Sequence, residues 1–452
     1  MATKISTSVS QTDNSAINAL LGGAKWIDGN ITFSFPTDKN NFVSDYTETK
    51  EPQYNFSAFT AQMQSAARQA FSDWAAVANL SFSEVSDSAT YGVIRLGRSS
   101  AVDSDPDGAA AWGYFPGNDE YHGDVWLGYN NPFNEPKWMT YADYGFETIE
   151  HEIGHALGLK HPGDYNGTGK GTGPFADTAN DCLAYSTMSY RPYPGASTST
   201  VMGNTSYPQT PMIWDIAAIQ YIYGANYNTN SGNTSYVFSP NDTTVFKTIW
   251  DGGGIDTYDA SAYTTGVLLQ LDPGSWSTLG VNQLADLGNS QKAPGSIANA
   301  LLYQNDARSL IENAIGGSGN DTLRGNVGNN TLSGEAGEDA FWGGLGGNDV
   351  LSGGAGTDYY WFADDKFSDT ISAAADNDQD TVIFQTDWQP SDMTISLIGK
   401  DLHLTVKGTE EVLQGWGNNG GYQLNRFYFA QTGGLYKIEF SNTGTGQFSL
   451  VT

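Results

Sequence analysis

Three of the chain's five histidines stand close together in the order His151-Glu152-x-x-His155-x-x-Gly158-x-x-His161. On a helix of 3.6 residues per turn, His151 and His155 fall about 40° apart and one turn along, so both imidazoles can meet one ion. Gly158 suits the left-handed conformation that ends a helix, and Pro162 bars further helix beyond His161. Three neutral imidazoles leave a fourth tetrahedral position open, which is the catalytic and not the structural form of a zinc site, and point to one Zn²⁺. Glu152, next to the first ligand, can take the proton of a water attacking there. His122 and His403 have no such company and read as surface or packing residues.

These groups need a helix over residues 143–157. Phe146, Ile149, Ile153, Ala156 and Leu157 fall on roughly the opposite face, so the helix can bury that side and turn its histidines to a cleft. Met63, Ala67, Ala70, Trp74 and Val77 recur at helical spacing and predict a second amphipathic helix. Ile31, Phe33 and Phe35 alternate as in a half-buried strand, and residues 80–85, 93–96 and 124–127 read as short strands. Prolines and glycines over 192–203 mark a long loop. Helical periodicity stops after about residue 225. From there, runs rich in Thr, Tyr, Phe and Val alternate with Gly, Asn and Asp clusters, which predicts an all-β half. The expected organisation is an N-terminal segment over 1–24, a catalytic domain over 25–228, and a C-terminal β domain over 229–452.

From Gly316 the β half falls into a near-nonapeptide period spanning about 316–361. This is the glycine-aspartate repeat of calcium-binding parallel β-rolls. Glycines permit tight turns and close chain approach, while carboxylates and backbone carbonyls are hard oxygen ligands suited to several Ca²⁺ ions. The candidate ligand positions are Gly317, Gly319 and Asp321; Gly334, Gly337 and Asp339; Gly344, Gly346 and Asp349; and Gly354, Gly356 and Asp358. One large residue per repeat (Leu323, Leu332, Phe341, Leu351, Tyr360) is expected to stack into a narrow core. Asn330 stands in place of one repeat aspartate and Gly347 lengthens another repeat by one residue, so sites there are expected to be weak or empty.

Composition agrees with this reading and excludes others. Fifty acidic against twenty basic residues leave a net charge of −30 on 452 residues, which opposes a nucleic-acid partner. Aromatics at 13% give ample apolar surface for folded cores. The 54 glycines exceed the ordinary share of roughly 7%. The single cysteine, Cys182, excludes an internal disulfide framework. No run of about eighteen apolar residues predicts a membrane span, and no N-terminal apolar segment predicts a cleavable secretory signal. An acidic roll repels itself without cations, so calcium is expected to act as a folding cofactor.

The zinc motif with Pro162 resembles that of the metzincin metalloproteases. Ser186-Thr187-Met188-Ser189-Tyr190 stands where that group carries its methionine turn. The text over 161–166, 188–190, 215–220 and 223–226 narrows the resemblance to the serralysins, secreted bacterial proteases, and it covers residues 17–452. The resemblance implies an α+β metzincin domain followed by an all-β domain, a calcium-binding parallel β-roll plus β-sandwich. It makes Met188 an apolar floor under the zinc, and lets Tyr190 alternate between the metal and the oxyanion of the tetrahedral intermediate. Ala111, Trp112, Gly113 and Tyr114 would form an edge strand that pairs with the backbone of a protein or peptide substrate, with broad specificity. Asp251, Gly253 and Asp256 would share calcium with Asn230, Gly232 and Thr234, and Glu312 matches another family ligand. Asn230 stands where the family often has arginine, but a carbonyl ligand survives that change.

The family also implies a removable pro-segment before about Lys25, a monomer, a proteinaceous inhibitor, and secretion by a type I exporter that reads the C-terminus. The chain departs from the family at Arg191, in a longer loop over 170–180, and at its end, where residues 448–452 lack the usual acidic residue. The alternative reading is a calcium-dependent surface or adhesion protein with an inactive protease-like domain. Intact His151, Glu152, His155, His161 and Tyr190 weigh against it.

Overall fold

The structure is a computed structural model. It describes residues 4–451 except 44–45, 47–48, 88–90, 107, 166–172, 363–367, 373–377, 385–387, 407–408, 415–423 and 441–444. Asn166, Lys170 and Thr452, which the sequence reading used, lie outside the described residues. The chain forms two compact units: Met1–Thr229 with Thr244–Trp250 and Leu284–Gln304, and Asn230–Thr243 with Asp251–Gln283 and Asn305–Thr452.

In the first unit, β1 (Ser6–Ser8) pairs antiparallel with β2 (Ala24–Trp26). Between them runs helix α1 (Ser15–Leu20), whose first amides are capped by the Asn14 side chain. Lys4 is buried, with its ammonium 3.0 Å from Asp124. Asp124 also pairs with Arg95 at 2.8 Å and accepts a hydrogen bond from the Tyr46 hydroxyl. Strands β3 (Asn30–Ser34), β4 (Ser57–Ala58), β5 (Ser81–Glu84), β6 (Ile94–Ser99), β7 (Ala111–Gly113) and β8 (Val125–Gly128) form a sheet ordered β5-β3-β6-β8-β7, with β4 alongside β6. Alternation over β3 buries Ile31 and Phe33, as a one-sided strand requires. β7 runs antiparallel to β8 at the end of the row.

Helix α2 (Ala61–Val77) begins at Thr60, whose hydroxyl accepts the Met63 amide. It buries Met63, Ala67, Ala70, Trp74 and Val77 on the expected stripe. Helix α3 (Tyr144–Leu157) ends at Gly158, where φ is 109° and a Cβ would press on the Ala24 carbonyl. Its face of Phe146, Ile149, Ile153, Ala156 and Leu157 packs into the main core. The sequence predicts one buried side, whereas every residue from Gly145 to Leu157 is buried. The two helix histidines are therefore themselves buried and not displayed on an open surface. Helix α4 (Ile213–Tyr223) closes the unit from below the methionine turn and contributes Ile216, Ala218, Ile219 and Ile222 to the same core.

The second unit is all-β among its described residues. Its three-residue strands stack in two parallel rows. Thr322–Arg324, Ala340–Trp342 and Tyr359–Phe362 follow one another in one row, and Asn313–Ile315, Thr331–Ser333 and Val350–Ser352 in the other. Leu323, Phe341 and Tyr360 on one side and Leu332 and Leu351 on the other are fully buried between the rows. Longer strands, Met393–Ile398 through Thr445–Leu450, extend the rows as antiparallel pairs. An α+β unit is thus followed by a β-roll that runs into an antiparallel β region.

Candidate metal centre

α3 carries His151 and His155 one turn apart, and the turn at Gly158 brings His161 back against them. The Nε2 atoms of His151 and His161 are 3.1 Å apart, and those of His155 and His161 are 2.9 Å apart. Three nitrogens around one tetrahedral zinc at 2.0–2.1 Å would lie about 3.3 Å apart, so the set fits such an ion with little movement. Each helix histidine is braced from behind: His151 Nδ1 lies 2.8 Å from the Thr187 carbonyl, and His155 Nδ1 lies 2.8 Å from the Leu159 carbonyl. A carbonyl can only accept, so Nδ1 carries the proton and Nε2 presents its lone pair inward. Three lone pairs converging at this distance repel one another unless a cation sits between them. Burial pushes His151 down to about 4 and His155 to about 3, which keeps both neutral.

Met188 lies fully buried beneath α3, where a Cβ on Gly154 would stand 2.7 Å from its sulfur. Gly154 is thus a close-packing position between the two ligand turns. The methionine turn is tied down by Asp215 of α4, a residue to which the sequence reading gave no role. Its carboxylate accepts from the Ser186 hydroxyl at 2.6 Å, the Thr187 amide at 2.7 Å and the Met212 amide at 2.9 Å. Because Thr187 also braces His151, the chain from Asp215 to that imidazole is continuous.

Glu152 is buried, and burial pushes its carboxyl up to about 8 against the opposing hydrogen bond from the Gly113 amide. With His151, Tyr190 and Ala111 it lines a cavity of about 350 Å³. Tyr190 is half-exposed, its ring 4.4 Å from that of His161 and 4.8 Å from that of Tyr165. Tyr165 donates to Asp181, which also takes the Ser189 hydroxyl at 2.8 Å and Arg191 Nε at 3.0 Å. Arg191, where the chain departs from the family, is therefore engaged in bracing the tyrosine loop. Of the four strand residues, Ala111 lines the zinc-side cavity. Trp112, Gly113 and Tyr114 line a second cavity, with Trp112 and Tyr114 both donating to Glu51.

Known proteins resemble this chain over both units. Residues 45–167 match the matrixin family, and residues 214–414 match the family described as peptidase M10 serralysin C terminal. The chain belongs to the serralysin branch of the M10 peptidases. Serralysin relatives include a metallopeptidase AprA of Pseudomonas marginalis, 38% identical over 70% of this chain and 65% of that protein. A metalloprotease AprA of Pseudomonas entomophila is 37% identical over 70% of this chain and 64% of that protein. Serralysin C of Dickeya chrysanthemi is 36% identical over 65% of this chain and 58% of that protein. The chain spans 58–65% of the length of these serralysin-type relatives.

The calcium candidates of this serralysin-type chain gather in two places. Upstream, Asp256 accepts the Thr234 amide at 2.7 Å and its own amide donates to Glu312 at 2.7 Å. Asp251 accepts the Gly253 amide at 2.7 Å, and the Thr234 hydroxyl donates to the Gly232 carbonyl at 2.8 Å and the Asn230 carbonyl at 3.3 Å. In the roll, carboxylates climb the turns as ladders: the Asp321 amide donates to Asp339, and the Asp339 amide to Asp358. On the other edge, the Asn330 amide donates to Asp349. Gly317 donates to Asp321 at 2.6 Å, and Gly319 packs on the Thr265–Gly266 backbone. Gly334 lies against Asp339 and Gly346 is buried just before Asp349, while Gly337, Gly344, Gly354 and Gly356 take positive φ so that successive turns can stack. One oxygen each of Asp256 and Asp339 is buried with no hydrogen-bond partner among the described residues. Orphaned anionic oxygens facing turn carbonyls fit a hard dication.

The second repeat is built differently. Asn330 accepts the Asn326 amide at 2.7 Å, and its own amide group donates to the Glu312 carbonyl at 2.9 Å. Asn326 in turn donates to the carbonyls of Ile311 at 2.7 Å and Leu271 at 3.2 Å and accepts from Gly328. Amide hydrogens satisfy these carbonyls directly.

Proposed function

We propose that this chain is a secreted, zinc-dependent endopeptidase that cleaves protein substrates with broad specificity and is stabilised by several calcium ions in its second unit. The observation that carries the reading is the convergence of three imidazoles, two of them braced by backbone carbonyls, with Glu152 next to the first. His151, His155 and His161 would hold the zinc, which when bound polarises the scissile carbonyl and acidifies the attacking water. Glu152 takes that water's proton and later passes it to the departing amine. Glu152, whose burial raises its carboxyl to about 8, would be drawn toward its anion by a cation on the neighbouring imidazoles. The Gly113 amide keeps Glu152 oriented. Tyr190 swings over His161 to donate its hydroxyl to the oxyanion. Backbone groups of β7 pair with an extended substrate, which tolerates many side chains.

Asp251, Asp256, Glu312 and the roll aspartates, with carbonyls of the stacked turns, would bind calcium. No described helix is long and apolar enough to cross a membrane. Export by a type I machine and closure of the roll in calcium-rich surroundings follow from the family resemblance and the acidic repeats. Cleavage of a denatured general protein substrate, with and without a zinc chelator, tests the reading. Zinc-dependent cleavage supports it. A zinc-loaded protein that cleaves nothing would favour the adhesion alternative.

A further inference from the structure

The cavity that begins at Glu152 runs back along α3 toward its N-terminus, where Tyr144, Glu147 and Thr148 line it. Tyr207 faces them, its ring 5.1 Å from that of Tyr144 in an edge-to-face pair. Leu183, Pro192 and Met202 add apolar wall. Glu147 is only 6% exposed. Burial raises its proton affinity most, and Glu152 and Asp215 raise it further. Among the described residues, no lysine or arginine lines this cavity and no ion pair reaches Glu147. Arg191, next in sequence to Tyr190, is held by Asp181.

A carboxylate buried beside Glu152, with only neutral hydroxyls, tyrosine rings and apolar groups otherwise around it, is costly unless a cation joins it. The cavity, at about 350 Å³, is roughly ten times the share of one liquid water, about 30 Å³, so it admits a long side chain. Tyrosine faces near the carboxylate suit a planar guanidinium better than an ammonium. Glu152 decides which substrate residue arrives there. It hands a proton to the departing amine, so the cavity it shares lies on the side of the residue that supplies that amine.

We infer that this cavity is a specificity pocket for the residue immediately after the scissile bond, and that Glu147 selects a cationic side chain there, arginine above all. The inference rests on the peptidase reading and narrows it at one position. Pairing along β7 stays tolerant elsewhere.

The test uses two peptides identical except that the residue after the scissile bond is arginine or citrulline, which has the same shape without the charge. The zinc-loaded protein is expected to cleave the arginine peptide with kcat/KM on the order of ten- to hundredfold higher, the range of one charge-assisted pair. In Glu147→Gln the ratio is expected to fall to about twofold or less. Each ratio is taken within one protein, so a general loss of activity cancels. Glu147→Asp keeps the charge and should keep part of the preference. As a readout without turnover, the Glu152→Ala protein is titrated calorimetrically with both peptides, and the arginine peptide should bind more tightly. A wild-type ratio near one, or a ratio unchanged in Glu147→Gln, overturns the role of Glu147 and leaves the peptidase reading standing. If the zinc-loaded protein cleaves neither peptide nor denatured protein, both fall together.

Discussion

In the first unit, each helix imidazole is braced by a backbone carbonyl, the methionine turn hangs from Asp215, and the core beneath draws on four helices and a sheet. In the second, each roll strand from Asn313–Ile315 to Tyr359–Phe362 gives the core a fully buried side chain, and carboxylates stack turn upon turn along the edges. The first unit places its metal ligands with protein groups alone, so an ion adds chemistry to a frame that already exists. The second brings carboxyl groups together along its edges, an arrangement that a bound cation, as proposed, would make favourable. On the proposed reading, zinc would be held by the fold, whereas calcium would hold the fold. Each expectation below probes one side of that division.

The largest effect is expected from Glu152→Ala, which leaves all three imidazoles and their braces in place. Zinc content, read by elemental analysis, should match wild type while turnover falls on the order of 10²–10⁴-fold. Activity within a few-fold of wild type would remove Glu152 from the chemistry. Next comes calcium withdrawal with a chelator selective over zinc. Thermal unfolding should split, the β-rich transition moving down with falling free calcium while zinc stays bound in the first unit. A single transition indifferent to calcium would erase the contrast between the units.

Tyr190→Phe keeps the ring stacked on Tyr165 and beside His161 but removes the hydroxyl. A loss of order 10–10³ in kcat with KM little changed is expected, and a change in KM alone would make Tyr190 a binding residue. Within the roll, Asp321→Ala should raise the calcium concentration needed for stability more than Asn330→Ala. Asn330 should act through lost hydrogen bonds, about 1 kcal/mol each, at every calcium concentration. Equal calcium shifts for the two would show that both turns handle the ion alike.

The smallest effect concerns pH. Burial pushes Asp256 and Asp339 from 3.8 up to about 7. A carboxyl raised in the folded state holds its proton more tightly there than in the unfolded chain. Its contribution is therefore fully present below 3.8 and is lost as pH rises through about 7. Calcium-free roll should melt at a higher temperature at pH 5 than at pH 8, and added calcium should narrow the gap. The reverse order would mean that these carboxyls are stabilised as anions by something other than an ion.

The zinc motif and the repeat were legible because both are local: ligand spacing along one helix, and a period of about nine residues, need no tertiary knowledge. The helices α2 and α3 announced themselves by one-sided patterning. α4 did not, because Ile213, Ile216, Ala218, Ile219 and Ile222 are buried around nearly its whole circumference and leave no stripe to read. Asp215 and Asp181 were equally silent, since their partners lie 28 and 10 residues away in sequence. Glu147 sat in plain view one turn before His151. Only the wall opposite, from Leu183 to Tyr207, shows that it borders a cavity. Gly347 was read as an insertion, and the ladder spacing shows it as a step from 18 to 19 residues between bonded partners.

Asn326 joins the carbonyls of Leu271 and Ile311 to its own turn, and Asn330 adds that of Glu312. Three stretches of chain thus meet at a node whose carbonyls are tied by side-chain amides. A stack of repeats behaves as a one-dimensional array that grows outward from whichever cell closes first. If the neighbouring turns take calcium as proposed, the node is the cell whose closure does not wait for the ion. It would serve as a nucleus, and calcium would set how far order propagates from it, not where order begins.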